Sequence, residues 1–209
     1  LNIFIFTFFI VSSCEVVEGP YQNEINSNGS SETVLQKILI EDFTGHTCMN
    51  CPDAATELES IKALYPNQVI GIALHVGNTF ARPLPPNSSN KYLTDFRTKW
   101  GEEIDNYFEV SSVGLPKGMI NRKNQEPKSK DDWGNVVSEI INNSPLFDID
   151  ISASPFVFGD CDIEVIVKAL ENVDGEYNIV IAITEDSIVD WQKNGSYDDS
   201  VYVHNHVLR

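Results

Sequence analysis

Two cysteines three apart, Cys48 and Cys51, stand between an apolar strand and a helical run, and no other feature constrains the chain as tightly. Upstream, Lys37-Ile38-Leu39-Ile40-Glu41-Asp42-Phe43 carries a short continuous apolar run, the pattern of a strand covered on both faces. Downstream of Pro52, the residues Ala54, Ala55, Leu58, Ile61, Leu64 and Tyr65 recur at helical spacing, with Glu57, Glu59 and Lys62 opposite. Pro66-Asn67 stops that helix, and Val69 to Leu74 (VIGIAL) reads as a second buried strand. Strand, helix and strand in this order predict a parallel pair with a right-handed crossover. Ligand sites in such sheets lie at the C-terminal edge of the strands, where the two cysteines and His75 fall.

The next stretch, from His75 to Val113, reads as an insertion: a Pro- and Ser-rich loop over 78–90, then Tyr92, Leu93, Phe96 and Trp100 at helical spacing as a cover for the sheet. Gly114-Leu115-Pro116 leads into a strand over 117–121, and Asp131-Asp132 are expected to cap a helix carrying Trp133, Val136, Val137, Ile140 and Ile141. Residues 122–130 make a poor second strand. After Ser144-Pro145 the apolar period turns to alternation, at Phe147-Ile149-Ile151, Ile163-Val165-Val167 and Tyr177-Ile179-Ile181-Ile183, with a last run at Val201-Tyr202-Val203 and a turn at Asp174-Gly175. Four such strands make one antiparallel layer, short of the roughly seven that close a sandwich. The expectation is an α/β domain over 34–144 and an incomplete antiparallel β-sandwich over 145–209, a fragment cut inside its second domain.

Charge and the N-terminus narrow the class. The formal net charge of −17 argues against nucleic-acid binding, which needs a Lys/Arg surplus. Residues 144–209 carry 13 acidic and 3 basic side chains, a net of −10 against −7 for the rest, which is read as a solubilising surface. Leu1 to Val11 is apolar but too short to span a bilayer, and it fits the apolar core of a secretory signal. Val11-Ser12-Ser13-Cys14 resembles a bacterial lipobox, which makes Cys14 the expected lipidation site and 1–14 the signal. Residues 15–33, rich in Asn, Ser, Gly and Glu, read as a flexible tether of roughly 24 Å span. Export permits disulfides among Cys48, Cys51 and Cys161.

Dithiol exchange needs a nucleophilic thiolate lowered in pKa at a helix N-terminus, a second thiol that resolves the mixed disulfide, and a base near it. By these roles Cys48 is the expected nucleophile, Cys51 the resolver and Asp42 the base, its pKa raised by burial. Pro116, in a cis peptide, is the expected wall on the substrate side. His46 is close enough in sequence to stabilise the Cys48 thiolate, although an exposed loop histidine has the same signature.

Asp42-Phe43, four intervening residues, Cys48-x-x-Cys51 and the later Gly114-Leu115-Pro116 resemble the thioredoxin pattern. More narrowly, Glu41 to Pro52, together with Gly118-Met119-Ile120-Asn121-Arg122 and His204-Asn205-His206-Val207-Leu208-Arg209, is similar to the twenty-eight-kilodalton outer-membrane lipoprotein family of Gram-negative bacteria. That resemblance implies a thioredoxin-like domain, then an Ig-like β-sandwich, anchored to the outer membrane, and no settled activity. The dithiol itself leads to the expectation of thiol–disulfide exchange with envelope or surface proteins, without a cofactor. Two departures count against exchange. Thr47 stands where thioredoxins have Trp, and Pro52 with Asp53 follows the second cysteine directly, which shifts the helix start and adds an opposing charge. The alternative is a non-catalytic surface lipoprotein that binds a protein or glycan, with Cys48–Cys51 as a staple. A metal site at Cys48, Cys51 and His46 lacks a fourth ligand, and His204 with His206 is read as strand-face packing or interdomain hydrogen bonding ahead of a metal pair. Cys161 is expected to be a reduced, half-buried thiol.

Overall fold

A computed structural model describes residues 34–86, 90–155 and 159–209. The expected signal, the lipobox with Cys14 and the tether lie outside these residues. The chain divides into two compact units, one comprising Val34–Asp148 with Ala169–Arg209, the other including Ile149–Lys168.

The larger unit is a mixed α/β structure. Strand β1 (Ile38–Thr44) runs parallel to β2 (Val69–His75), with helix α1 (Cys51–Leu64) between them, as the periodicity predicts. Strand β3 (Lys117–Ile120) lies antiparallel on the free edge of β1. On the other side, residues near the end of the sequence join the same sheet. β9 (Val207–Leu208) is parallel to β2 and β6 (Thr184–Glu185) is antiparallel to β9, giving the order β3-β1-β2-β9-β6. Ala73 donates its N–H to the carbonyl of His206 at 2.7 Å, so β2 has partners on both sides.

The two faces of the sheet follow from strand alternation. Ile38 and Ile40 of β1, Val69 of β2 and Ile120 of β3 pack against Ala54, Leu58 and Ile61 of α1 and against Trp133 and Val137 of α3 (Lys130–Ile140). Phe43, Leu74 and Met119 point the other way, towards Val76, Val110 and Leu208, with Ile104 and Phe108 of α2 (Lys99–Phe108) beside them. Gly118 is required by packing: a Cβ there would meet the Trp133 ring at 2.4 Å. Glu41, buried on its strand, accepts from two nitrogens of the Arg122 guanidinium at 2.8 and 2.7 Å.

Several expected elements differ. Tyr92 and Phe96 are buried but lie in irregular backbone; the helix begins only at Lys99, where the Thr98 hydroxyl accepts the Gly101 N–H at 3.0 Å. Trp100 is exposed, because α2 turns Ile104, Asp105 and Phe108 inward. Ser129, not Asp131-Asp132, occupies the cap position of α3, and the two aspartates sit in its first turn, where they favour the helix dipole. Residues 122–130 contribute a single bridge, Gly118 with Lys128.

Within 145–209, β4 (Phe147–Ala153) and β5 (Ile163–Ala169) form a separate two-stranded sheet, on which Ile149, Ile151, Ile163 and Ile166 remain exposed. Tyr177 to Ile183, expected as a strand, has no regular structure and exposes Tyr177, Ile179, Ile181 and Ile183. Its alternating pattern finds no partner strand among the described residues, and an unpaired strand has nowhere to place its backbone hydrogen bonds. Instead β7 (Ile188–Asn194) and β8 (Tyr197–His204) form an antiparallel hairpin turning at Gly195, whose φ is +55°.

Candidate functional site

The loop after β1 folds back at once. Cys48 donates its N–H to the Gly45 carbonyl at 3.0 Å, and α1 begins at Cys51 with Pro52 in its first turn. Gly45 is needed here because a Cβ would strike the Phe80 backbone at 2.5 Å, and Thr47 binds the Phe80 carbonyl through both its N–H and its hydroxyl. The two sulfurs form a disulfide, with Cα atoms 5.4 Å apart, at the N-terminus of a fourteen-residue helix.

Asp42 is 2 % exposed on β1, an interior strand of the sheet. Its neighbours across the sheet are Ala73 of β2 and Gly118 of β3, neither with a side chain that can hydrogen-bond. One carboxyl oxygen has no partner at all, and burial pushes the pKa up to about 8. Asp42, Cys51, His75 and His204 all line one cavity of about 30 Å³, whose other polar lining is Thr44, Gln192, Tyr202 and Asn205.

Pro116 follows a cis Leu115–Pro116 bond and directly precedes Lys117, which pairs with Phe43. The register therefore places Pro116 beside Thr44, at the same edge of the sheet as the disulfide loop. His46 is buried, not exposed. Its Nε2 lies 3.3 Å from the Arg82 carbonyl, its ring packs on Tyr92 and Phe96, and burial lowers its pKa, so it brings no positive charge at neutral pH. Asp53 is exposed in the first turn of α1.

Sequence reasoning missed the cover. Both cysteines are only 2 % exposed because the β7–β8 hairpin lies on their loop. Lys193 and Gly195 donate backbone N–H groups to the His46 and Met49 carbonyls at 2.7 and 2.9 Å, and the buried Gln192 amide reaches the Gly45 and Cys48 carbonyls. Asp198 anchors the hairpin by accepting from Lys91, Tyr92 and Lys193, which hold its carboxyl well below the usual range. The signal was present in Gly195-Ser196, a two-residue hairpin turn pair with Gly at the positive-φ position.

The histidines also rearrange the expectation. His204 and His206 do not share a strand face: His204 is buried against Phe96, Tyr202 and His75, while His206, at positive φ, pairs with Glu59 and Asp186. Among the described residues no group of three or more His, Cys, Asp or Glu is arranged to hold a metal ion. None of their helices is long and apolar enough to cross a membrane. Cys161 is a free thiol of intermediate burial, 3.1 Å from the Ser154 carbonyl.

No family model matches the chain, and no curated protein does either. Among solved structures, a structural-genomics protein from Agrobacterium tumefaciens is similar over 84 % of this chain and 71 % of its own, at 15 % identity and a TM-score of 0.45.

Proposed function

We propose that the protein exchanges disulfides with envelope or surface proteins through Cys48 and Cys51, on a thioredoxin-like domain. The observation that carries this reading is the unpartnered carboxyl of Asp42 sharing a cavity with Cys51. A buried polar atom without a partner costs about 1–3 kcal/mol, and a purely structural disulfide gains nothing from it. A resolving thiol does, because a neutral carboxyl with pKa about 8 takes up and gives back a proton near neutral pH. Cys48, N-terminal to α1, takes the nucleophile's role and the loop at Pro116 receives the client backbone. Anchoring to the outer membrane through a lipidated Cys14, and completion of an Ig-like sandwich by further chain, belong to the same proposal and rest on sequence resemblance.

The test is trapping. Cys51→Ser should accumulate a mixed disulfide at Cys48 with client proteins or oxidised glutathione, and Cys48→Ser should trap nothing. The absence of any adduct in the Cys51→Ser protein would end the proposal.

A second reading is favoured by the cover. With both sulfurs 2 % exposed, the disulfide has the environment of a staple, and the protein is then a non-catalytic surface lipoprotein that binds a protein or glycan. A reduction potential below roughly −300 mV, together with no turnover of glutathione disulfide, would decide for it.

A further inference from the structure

We infer that His204, with His75 behind it, receives the proton displaced when Cys51 resolves a mixed disulfide, so that Asp42 relays protons instead of storing them. This deepens the exchange reading and rests on it. Three of the chain's four histidines are buried in one aromatic cluster: His46, His75 and His204 around Phe96. Two of them, His75 and His204, border the cavity that Asp42 and Cys51 also line. Across the described residues, the buried side-chain polar atoms without a hydrogen-bond partner are Asp42 Oδ1, His75 Nδ1 and His204 Nε2. These atoms come from three strands, β1, β2 and β8, and their residues meet at one small space. Packing alone would be served better by apolar side chains there.

His204 is fixed for the task. Its faces are set by Phe96 and Tyr202, each ring centre 4.8 Å away, and the nearby Trp191 backbone favours its protonated form. In the tautomer that leaves Nε2 without hydrogen, Nε2 is an acceptor, while Asp42, protonated below about pH 8, is a donor. The His75 ring lies 5.7 Å from that of His204. The other charged or titratable groups felt at these rings are Asp190 and His46 at His204, and His46, Arg209 and Asp95 at His75; Tyr202 and, beyond it, Asp199 face Asp42. Burial keeps both imidazoles neutral at rest, and ionising Asp42 in the same cavity favours the charged ring.

The step balances as follows. In the mixed disulfide, Asp42 passes its proton towards His204 Nε2 through a water in the cavity of about 30 Å³ that they share, the two atoms making no direct hydrogen bond, and, as carboxylate, takes the proton of the Cys51 thiol. The Cys51 sulfur attacks the Cys48 sulfur; the Cys48–Cys51 bond forms and the bond to the client sulfur breaks. The client leaves as a thiolate and takes a proton from water. Its disulfide is the oxidant, reduced by the two electrons the cysteines give up. The proton count lost by Cys51 ends on His204 and returns to solvent.

The experiment reacts the reduced protein, His204→Gln and His75→Gln with glutathione disulfide from pH 6 to 9, with acid quenching and mass spectrometry. Adduct formation at Cys48 should agree within twofold in all three. Resolution should be slowed at least tenfold in His204→Gln at pH 7. It should then rise about fivefold from pH 7 to pH 8, because Asp42, with a pKa of about 8, must already be ionised, while the unaltered protein stays nearly flat. His75→Gln should show a smaller loss of the same kind. Equal resolution rates and equal pH slopes in all three proteins would overturn the relay. Failure of glutathione disulfide to oxidise Cys48 and Cys51 of the unaltered protein would overturn the exchange reading itself. Imidazole 15N spectra of the unaltered protein, which need no variant to fold, give an independent check: the His204 Nε2 resonance should move as Asp42 ionises near pH 8. A resonance that does not respond would also overturn the relay.

Discussion

Asp42 concentrates the energetics of the molecule in one carboxyl. A group whose folded pKa is raised keeps its proton up to about 8, whereas the unfolded chain loses it near 3.8. Stability therefore falls as pH rises between those values, by about 1.4 kcal/mol per unit. His46, His75 and His204 have lowered values, so their contribution runs the other way: it is complete above their ordinary 6.5 and is lost as the solution is acidified below it. Between pH 6.5 and 8 the histidine contribution is common to both proteins, so the difference between the unaltered protein and Asp42→Asn isolates the carboxyl. Urea unfolding should show the unaltered protein losing on the order of 2 kcal/mol relative to Asp42→Asn across that window, since the asparagine cannot ionise. A second residue-scale prediction concerns Gly118. Gly118→Ala forces a Cβ into the Trp133 ring, a rigid indole between α3 and the sheet, and should cost about 1–3 kcal/mol in the same measurement.

Among the elements, the β7–β8 hairpin is the one that decides access to the sulfurs. Gln192 is its inward anchor, because one amide nitrogen serves the carbonyls of Gly45 and Cys48. Gln192→Ala should leave those carbonyls poorly satisfied and loosen the cover, raising the rate at which dithiothreitol reduces Cys48–Cys51 by roughly tenfold, the equivalent of one such hydrogen bond of about 1–1.5 kcal/mol. An unchanged rate would mean that reduction proceeds without moving the hairpin. The contrast between elements explains what could be read from the sequence. β1, α1 and β2 were legible because local period and adjacency determine them: a buried run, an amphipathic face, a second buried run. The same local signal misled at Tyr92 and Phe96, whose spacing is helical but whose burial comes from packing on His46, His75 and Trp191, contacts made across the chain. It misled again at 177–183, where alternation promised a strand but pairing, a non-local property, assigns the partners elsewhere. The Asp42–Cys51 neighbourhood was foreseeable, whereas the contribution of His204 depends on a hairpin and a sheet register that no local pattern encodes.

At the scale of the whole chain, the larger unit is assembled from both ends of its sequence. β9 sits between β2 and β6, and its Val207 and Leu208 are buried. Removing residues 184–209 would strip β2 of a neighbour, expose the Phe96 cluster and uncover the disulfide. The shortened chain should lose cooperative thermal unfolding by circular dichroism. The disulfide itself closes only a short loop, with a sequence separation of 3, so chain entropy gives it about 2 kcal/mol. A Cys48→Ala/Cys51→Ala protein should accordingly remain folded with a lowered Tm. Loss of the native spectrum in that variant would favour the staple over the exchange reading. Expression of the full precursor with Cys14→Ala tests the anchor separately, since the variant should shift from the membrane pellet to the supernatant.

A disulfide roofed by its own polypeptide is screened from reductants in proportion to the time the roof stays closed. That proportion is set by the hydrogen bonds along Gln192–Gly195, so each bond lost there multiplies the rate of reduction at any given reductant concentration.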